Sequence, residues 1–363
     1  MKNFIFLLSL CIGITMLVSC NKDDSLELEK QETDIEYSTS GDEFNYDVEV
    51  SNNILSFNSF EEFKEALAKL SDVENGYYTS EAIENWQERI GFESMGVQYQ
   101  TAMDKFENVD SDAAYDQFVL DHPEILMSDD IEVDAVVLPV AHIQLAYLLN
   151  KEGKIIIGEN LHLFTDKHQI IVLGKEEDKL NLALENLESN DALGIYVLPY
   201  ILDEAVMSID ESAASVRSGS CGISYDGQQQ SGSRKVVSEI RLIATASPRG
   251  FFNGGGWDYF VDAKFKGKSE RKNWRGHWRT HSTWMDYFHH YSVCATVNGS
   301  TSNPDREYHH YPSYPTSGYT YTQRLVSGFS MFNAPPTMNA AFNFWIHRVK
   351  NRHDNITLDR WCF

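Results

Sequence analysis

The segment most able to do chemistry is Asn273 to Trp284, NWRGHWRTHSTW, where arginine and histidine alternate with tryptophan. On a helix, His277 and His281 would share one face and could hold a zinc ion together. On a strand, four residues span about 13 Å. A ligand nitrogen must lie about 2 Å from the metal, so one ion could not take both. Gly276 and several weak helix formers count against the helix, and the alternation counts for a strand. A strand over Trp274 to Trp284 is therefore expected. Its Trp274, Trp278 and Trp284 would form a core face, with Arg275, His277, Arg279 and His281 opposite. That Arg/His row has three uses: a solvated or domain-docking surface, a site for an anion such as an acidic glycan or a carboxylate-bearing partner, or a surface facing the acidic first half of the same chain. Guanidinium forks suit carboxylate, sulfate and phosphate.

Two histidine pairs follow, His289-His290 and His309-His310, with Asp286 and Glu307 nearby. Adjacent residues on a strand point to opposite faces, which works against a shared metal, and no metal or cofactor is expected. The segment Tyr308 to Tyr321 carries five tyrosines with Pro312 and Pro315. Stiff aromatic surfaces of this kind stack on sugars or anchor proteins, so Tyr311 and Tyr314 join the candidate ligand-binding residues. The other reading is a loop folded over a sheet. Gly219-Ser220-Cys221-Gly222 resembles the turn around a chymotrypsin-like cysteine nucleophile, but the helical first half contradicts that fold. Phosphate-loop, dinucleotide, EF-hand and HExxH motifs do not occur in the sequence.

Composition sets the frame for these residues. The 363 residues carry a net charge of −24, which argues against a nucleic-acid partner. Charge is unevenly placed. From Ala213 to Phe363 there are 18 basic and 10 acidic residues, whereas the remainder has 12 basic and 44 acidic. Six of the seven tryptophans lie beyond residue 250. Two domains of different character are expected, 53–212 acidic and 235–363 basic and aromatic, joined by a small-residue linker over 213–234.

The fold expected is α+β: a helical and hairpin first domain, then an antiparallel β-sandwich. Ser59 with Glu62 makes a capping box ahead of the stripe Phe60, Phe63, Leu67, Leu70. Further helices fit from Ser80, over Val97–Phe106 and Ala113–Leu120, and around Leu180, Ala183, Leu184 and Leu187. Tyr147–Asn150 and Lys154–Ile157 flank Lys151-Glu152-Gly153, a hairpin signal. Strands continue over Leu161–Phe164 and Gln169–Leu173. The second half offers Val236–Ala246, Tyr259–Lys266, Ser292–Val297, Tyr319–Ser327, Phe342–Val349 and Ile356–Phe363 besides the tryptophan segment.

The N-terminus reads as an address. Lys2 precedes an uncharged, mostly apolar run from Phe4 to Val18, which is too short for a comfortable membrane span but fits a secretory signal. Leu17-Val18-Ser19-Cys20 resembles the lipobox of bacterial lipoproteins. The resemblance implies cleavage after residue 19, lipid on Cys20 and a membrane partner through that anchor. Asn21-Lys22-Asp23-Asp24 resembles the export tract of surface-exposed Bacteroidota lipoproteins, which implies an outer-membrane, surface-exposed location. Residues 20–52 are then an acidic flexible tether. LSFNSFEEFKEAL at 55–67 and YLLNKEGKIIIGENLHLFT at 147–165 resemble paired segments of uncharacterised Bacteroidota lipoproteins, in which the second is a hairpin and no activity is implied. With Cys20 acylated, Cys221, Cys294 and Cys362 permit at most one disulfide and do not choose it. The functional expectation is a non-catalytic binding module for acidic glycan or protein; the alternative is a metal-dependent hydrolase using the second domain's histidines.

Overall fold

The computed structural model describes residues 44, 46–71, 80–123, 126–128, 133–140, 143–200, 225–249, 255–297, 300–302, 305–311, 315, 318–331, 335–336 and 338–362. Cys20, Tyr314 and Cys221 lie outside the described residues, as do the expected leader and most of the tether and linker. The described residues all fall in one compact unit, 38–363.

Helix α1 spans Phe60–Ser71 and begins as its capping box requires. Ser59 Oγ accepts from the Glu62 amide at 3.2 Å, and the Glu62 carboxylate accepts from the Asn58 amide at 3.0 Å. Phe60, Phe63, Leu67 and Leu70 are buried, as their spacing demands. Helix α2, Ser80–Ile90, buries Ile83, Trp86 and Gln87. Ser94 caps α3, Met95–Phe106, and Ser111 caps α4, Asp112–Asp121, each accepting from an amide three residues on. Gly96 of α3 lies against Tyr147, and a Cβ there would sit 2.6 Å from the ring.

The first expected hairpin forms differently. Ile143–Ala146 is a helical turn, α5, and backbone hydrogen bonds from the Leu148 amide to the Leu145 carbonyl and from the Leu149 amide to the Ala146 carbonyl carry the turn onward. Tyr147–Asn150 is therefore not a strand. The Asn150 side-chain oxygen accepts from the Glu152 and Lys154 amides, and Gly153 takes φ +82°, so the bend closes on itself. Lys154–Ile157 is a strand, β3, but its hairpin partner is β4, Asn160–Phe164, across the turn at Gly158.

A six-stranded sheet results, ordered β1-β2-β3-β4-β5-β6. Its other members are β1 (Glu49–Ser51), β2 (Ile54–Phe57), β5 (His168–Val172) and β6 (Ile195–Pro199). Strands β2 and β3 are parallel, with Ser56 opposite Ile156 and Phe57 opposite Ile157. The two segments singled out by resemblance thus lie side by side. Strand β1 corrects the tether's end, because Glu49–Ser51 pairs with β2 and Phe44 packs edge-on against Trp86 at 4.7 Å. Phe44 and Tyr46 supply the apolar surface that the rest of the acidic segment lacks. Helix α6, Glu177–Asn186, covers this sheet with Leu180 and Ala183; Leu184 and Leu187, expected inward, are exposed.

The second half is two antiparallel five-stranded sheets face to face. In the first, β7 (Tyr225–Ser231), β8 (Arg234–Pro248) and β9 (Trp257–Lys272) are adjacent, and β14 (Gly318–Ser330) and β10 (Trp278–Thr280) share the far edge of β9. Strand β7 lies within the expected linker: its Tyr225 supplies an inward ring, and its whole length pairs with β8. In the second sheet, β11 (Met285–Val297) pairs β15 (Met338–Asn351), which pairs β16 (Ile356–Cys362). Strands β12 (Ser300–Ser302) and β13 (Asp305–His310) share the other edge of β11. Phe265 of β9 meets Tyr291 of β11 at 4.7 Å across the sandwich.

The outer face of the first sandwich sheet carries the first half. Ile243 and Phe260 enter the helical core, and Phe260 stacks on Phe60 at 5.5 Å. The Gln169 carboxamide bonds both the amide and the carbonyl of Ala246, standing in for a strand neighbour.

Candidate functional site

The tryptophan segment is mostly a turn. Asn273 Oδ1 accepts from the Arg275 and His277 amides, and Gly276 adopts φ +80°. The Asn273 backbone N–H donates a hydrogen bond to the His277 carbonyl and closes the β9–β10 hairpin. Asn at the first and Gly at the fourth position of Asn273-Trp274-Arg275-Gly276 is a turn signature, and it outweighs the alternation. The expected strand from Trp274 to Trp284 is therefore confined to Trp278–Thr280 at its centre. Trp278 is buried, with the Lys235 ammonium over its ring, but Trp274 and Trp284 are 41% and 40% exposed. They do not complete a core face.

The hairpin presents its polar side chains to the first half. Asp134, almost fully buried, accepts from Asn273 Nδ2 at 2.5 Å, and His277 Nδ1 lies 3.1 Å from its other oxygen. Arg275 pairs with Asp112 at 2.9 Å and lies over the Tyr115 ring at 4.6 Å. Arg279 donates to the Val109 carbonyl and covers the Phe106 ring at 4.3 Å. The Asp134 amide donates to the Trp278 carbonyl. Of the three uses open to the Arg/His row, Arg275, His277 and Arg279 take the one facing the acidic half. His281 stands apart on the edge beside Ser269; burial, and Arg271 and Arg234 beside it, lower its proton affinity.

The remaining histidines do not meet in one pocket. His289 is wholly buried, with Nδ1 2.5 Å from Nδ1 of His347 and the rings stacked. Burial lowers the pKa of His347 to about 3, so His347 is neutral at ordinary pH. His347 was not singled out in the sequence; its signal is its place opposite His289 on adjacent strands, which only the register supplies. His290 and His309 point the other way, toward Asp305 at 3.1 Å and Glu307 at 2.8 Å. Among the described residues no three His, Cys, Asp or Glu side chains gather as a metal would need. An open depression of about 440 Å³ lies beside α3, lined by residues including Gln98, Lys105 and His122.

Tyr311 lies on a different surface, the outer face of the second sheet, and is 61% exposed. Its hydroxyl is 3.1 Å from His309 Nδ1, and His309 packs on Phe288 at 4.4 Å. Phe288 is opposite Arg348, which holds Asp359 through two hydrogen bonds. One rung along, Ile346 lies between His290 and Trp361, which is 66% exposed. Four strands thus place rings and polar pairs side by side on one face. Strand alternation at 286–290 and 344–348 carries this signal in the sequence.

No family model matches this chain, and no curated protein matches it. The chain is structurally similar to a DUF4848 family protein from Bacteroides thetaiotaomicron, at 14% identity, covering 86% of this chain and 100% of that one with a TM-score of 0.27. A superposition that loose transfers neither architecture nor activity.

Proposed function

We propose that the chain is a lipoprotein, acylated at Cys20 and held at the outer membrane surface, that acts as a non-catalytic binding module for glycan. Support for the anchor is the leader ending in Leu17-Val18-Ser19-Cys20. The observation that carries the binding reading is the outer face of the second sandwich sheet. There Trp361, Phe288 and Tyr311 offer ring surface, and Arg348–Asp359, His290–Asp305 and His309–Glu307 offer hydrogen-bonding pairs between them. A sugar presents the same mixture, an apolar C–H face bordered by hydroxyls, so rings and polar pairs on one flat surface match it. The hydrolase alternative needs titratable groups converging on one atom, and among the described residues no three His, Cys, Asp or Glu side chains gather.

The test is a glycan array probed with the mature chain and with Trp361→Ala. Binding by the wild type that the variant loses is the expected result. A silent array, or equal binding by both, overturns the reading; a proteinaceous partner captured through the same face would replace glycan with protein.

A further inference from the structure

The outer face of the first sandwich sheet holds a row of lysines that the aromatic face does not involve. Lys264, Lys266 and Lys268 alternate along β9, so their side chains share one face at intervals of about 7 Å. Lys235 of β8 joins them one rung further. Two carboxylates answer these four ammonium groups. Glu270 pairs with Lys235 at 2.6 Å and Lys268 at 2.5 Å, and Glu239 pairs with Lys264 at 2.8 Å. Lys266, the middle of the three, has no carboxylate within ion-pair distance among the described residues. Strand β14 borders the row: Thr322 is opposite Lys264 and Thr320 is opposite Lys266. Thr322 Oγ1 is buried and has no hydrogen-bond partner among the described residues. The first half docks on the same sheet at both ends of this row, through Phe260 and through Arg279, so the lysines lie between two covered regions.

Such a place is costly as it stands. Like charges two residues apart repel, and a half-buried ammonium without a partner loses hydration. Burial and the neighbouring Lys264 bring Lys266 down to about 8. The buried Thr322 hydroxyl, opposite the neighbouring Lys264, also wants an acceptor.

We propose that Lys266, flanked by Lys264 and Lys268 and bordered by Thr322, binds an oxyanion: the carboxylate, sulfate or phosphate group of a ligand. Three oxygens could take hydrogen bonds from the ammonium groups and from the threonine hydroxyl, relieving the repulsion and the orphaned donor together. The site is on the opposite sandwich sheet from Trp361 and stands independently of the glycan reading.

The test is NMR of the lysine ammonium and threonine signals of the mature chain, titrated separately with inorganic phosphate, inorganic sulfate and galacturonate. The expected result is saturable shifts at Lys266 and Thr322 for at least one anion, with an affinity at least tenfold lower in Lys266→Met and about fivefold lower in Thr322→Val. The three titrations tell phosphate, sulfate and carboxylate sources apart. Trp361→Ala should bind the anion unchanged, which separates this site from the aromatic face. Lys266→Met keeps the aliphatic stem, and its thermal midpoint is expected at or above that of wild type because repulsion is removed. If it fails to fold, Thr322→Val decides. Absence of saturable shifts with all three anions, or equal affinity in the folded variants, overturns the proposal.

Discussion

Single side chains decide more here than motif spacing does. Asp134 lies in an acidic stretch that offers no reason to choose it, yet it takes Asn273 and His277 together in a buried setting. Replacing Asp134 with Ala removes the carboxylate that holds the half-buried Asn273 and His277 side chains, and a loss of about 1–3 kcal/mol is expected in urea denaturation. Asp134→Asn should recover part of it. The histidines give a pH prediction. Burial lowers His347 and His162 to about 3 each, against about 6.5 in the unfolded chain. The unfolded state therefore binds more protons between those values, so stability is full above pH 6.5 and declines as pH falls toward 3. Each histidine contributes a slope of about 1.4 kcal/mol per pH unit within that window. Denaturation midpoints followed from pH 7.5 to 4.5 should fall, and less steeply for the double variant His289→Phe/His347→Phe. The sequence showed both His289 and His290 but not which was core, because the strand's phase depends on its partners.

At the scale of elements, helices were read well and the bends between them poorly. Capping residues and apolar stripes are local, so α1 to α4 follow from Ser59, Ser94, Ser111 and their neighbours. The bend at Asn150 is also local, but its geometry matches a hairpin turn until Leu145 to Leu149 are seen to coil instead. Tertiary packing explains that choice: Leu145, Ala146, Leu148 and Leu149 all enter the first core, which a strand's alternation would not allow. Gly96 tests the same packing from the other side. Its α-helical position takes alanine readily in isolation, but a Cβ would meet Tyr147 at 2.6 Å. Gly96→Ala should therefore destabilise by about 1–3 kcal/mol rather than stabilise, as a shift in melting temperature would show. In the second half, long alternating runs gave six of the strands, and the Asn-x-x-Gly turn at 273–276 interrupted the seventh.

For the whole molecule, the two charge classes visible in the sequence meet in one structure. Hairpin residues meet the acidic half through Arg275–Asp112 on α4 and His277–Asp134 on the non-helical segment that bridges β10, and apolar residues of both halves share a core around Phe60 and Phe260. Phe260→Ala opens a cavity at that junction, and a loss of about 3–5 kcal/mol is expected for the whole chain, in a single transition by fluorescence and circular dichroism alike. The two classes of charge are legible in the sequence. It could not disclose that the Arg/His row is turned inward, because that depends on where β10 lies against Val133 and Asp134. The proposed ligand surface is on the opposite sheet, where Tyr311 is legible in the sequence and Phe288, Arg348 and Trp361 are not. Isothermal titration of the mature chain with a glycan selected by array addresses this most directly. The account predicts that Tyr311→Ala/Trp361→Ala weakens affinity at least tenfold, about 1.4 kcal/mol, while Arg275→Ala/Arg279→Ala leaves it within twofold. Undiminished affinity in the first pair, or its loss in the second alone, would contradict the account.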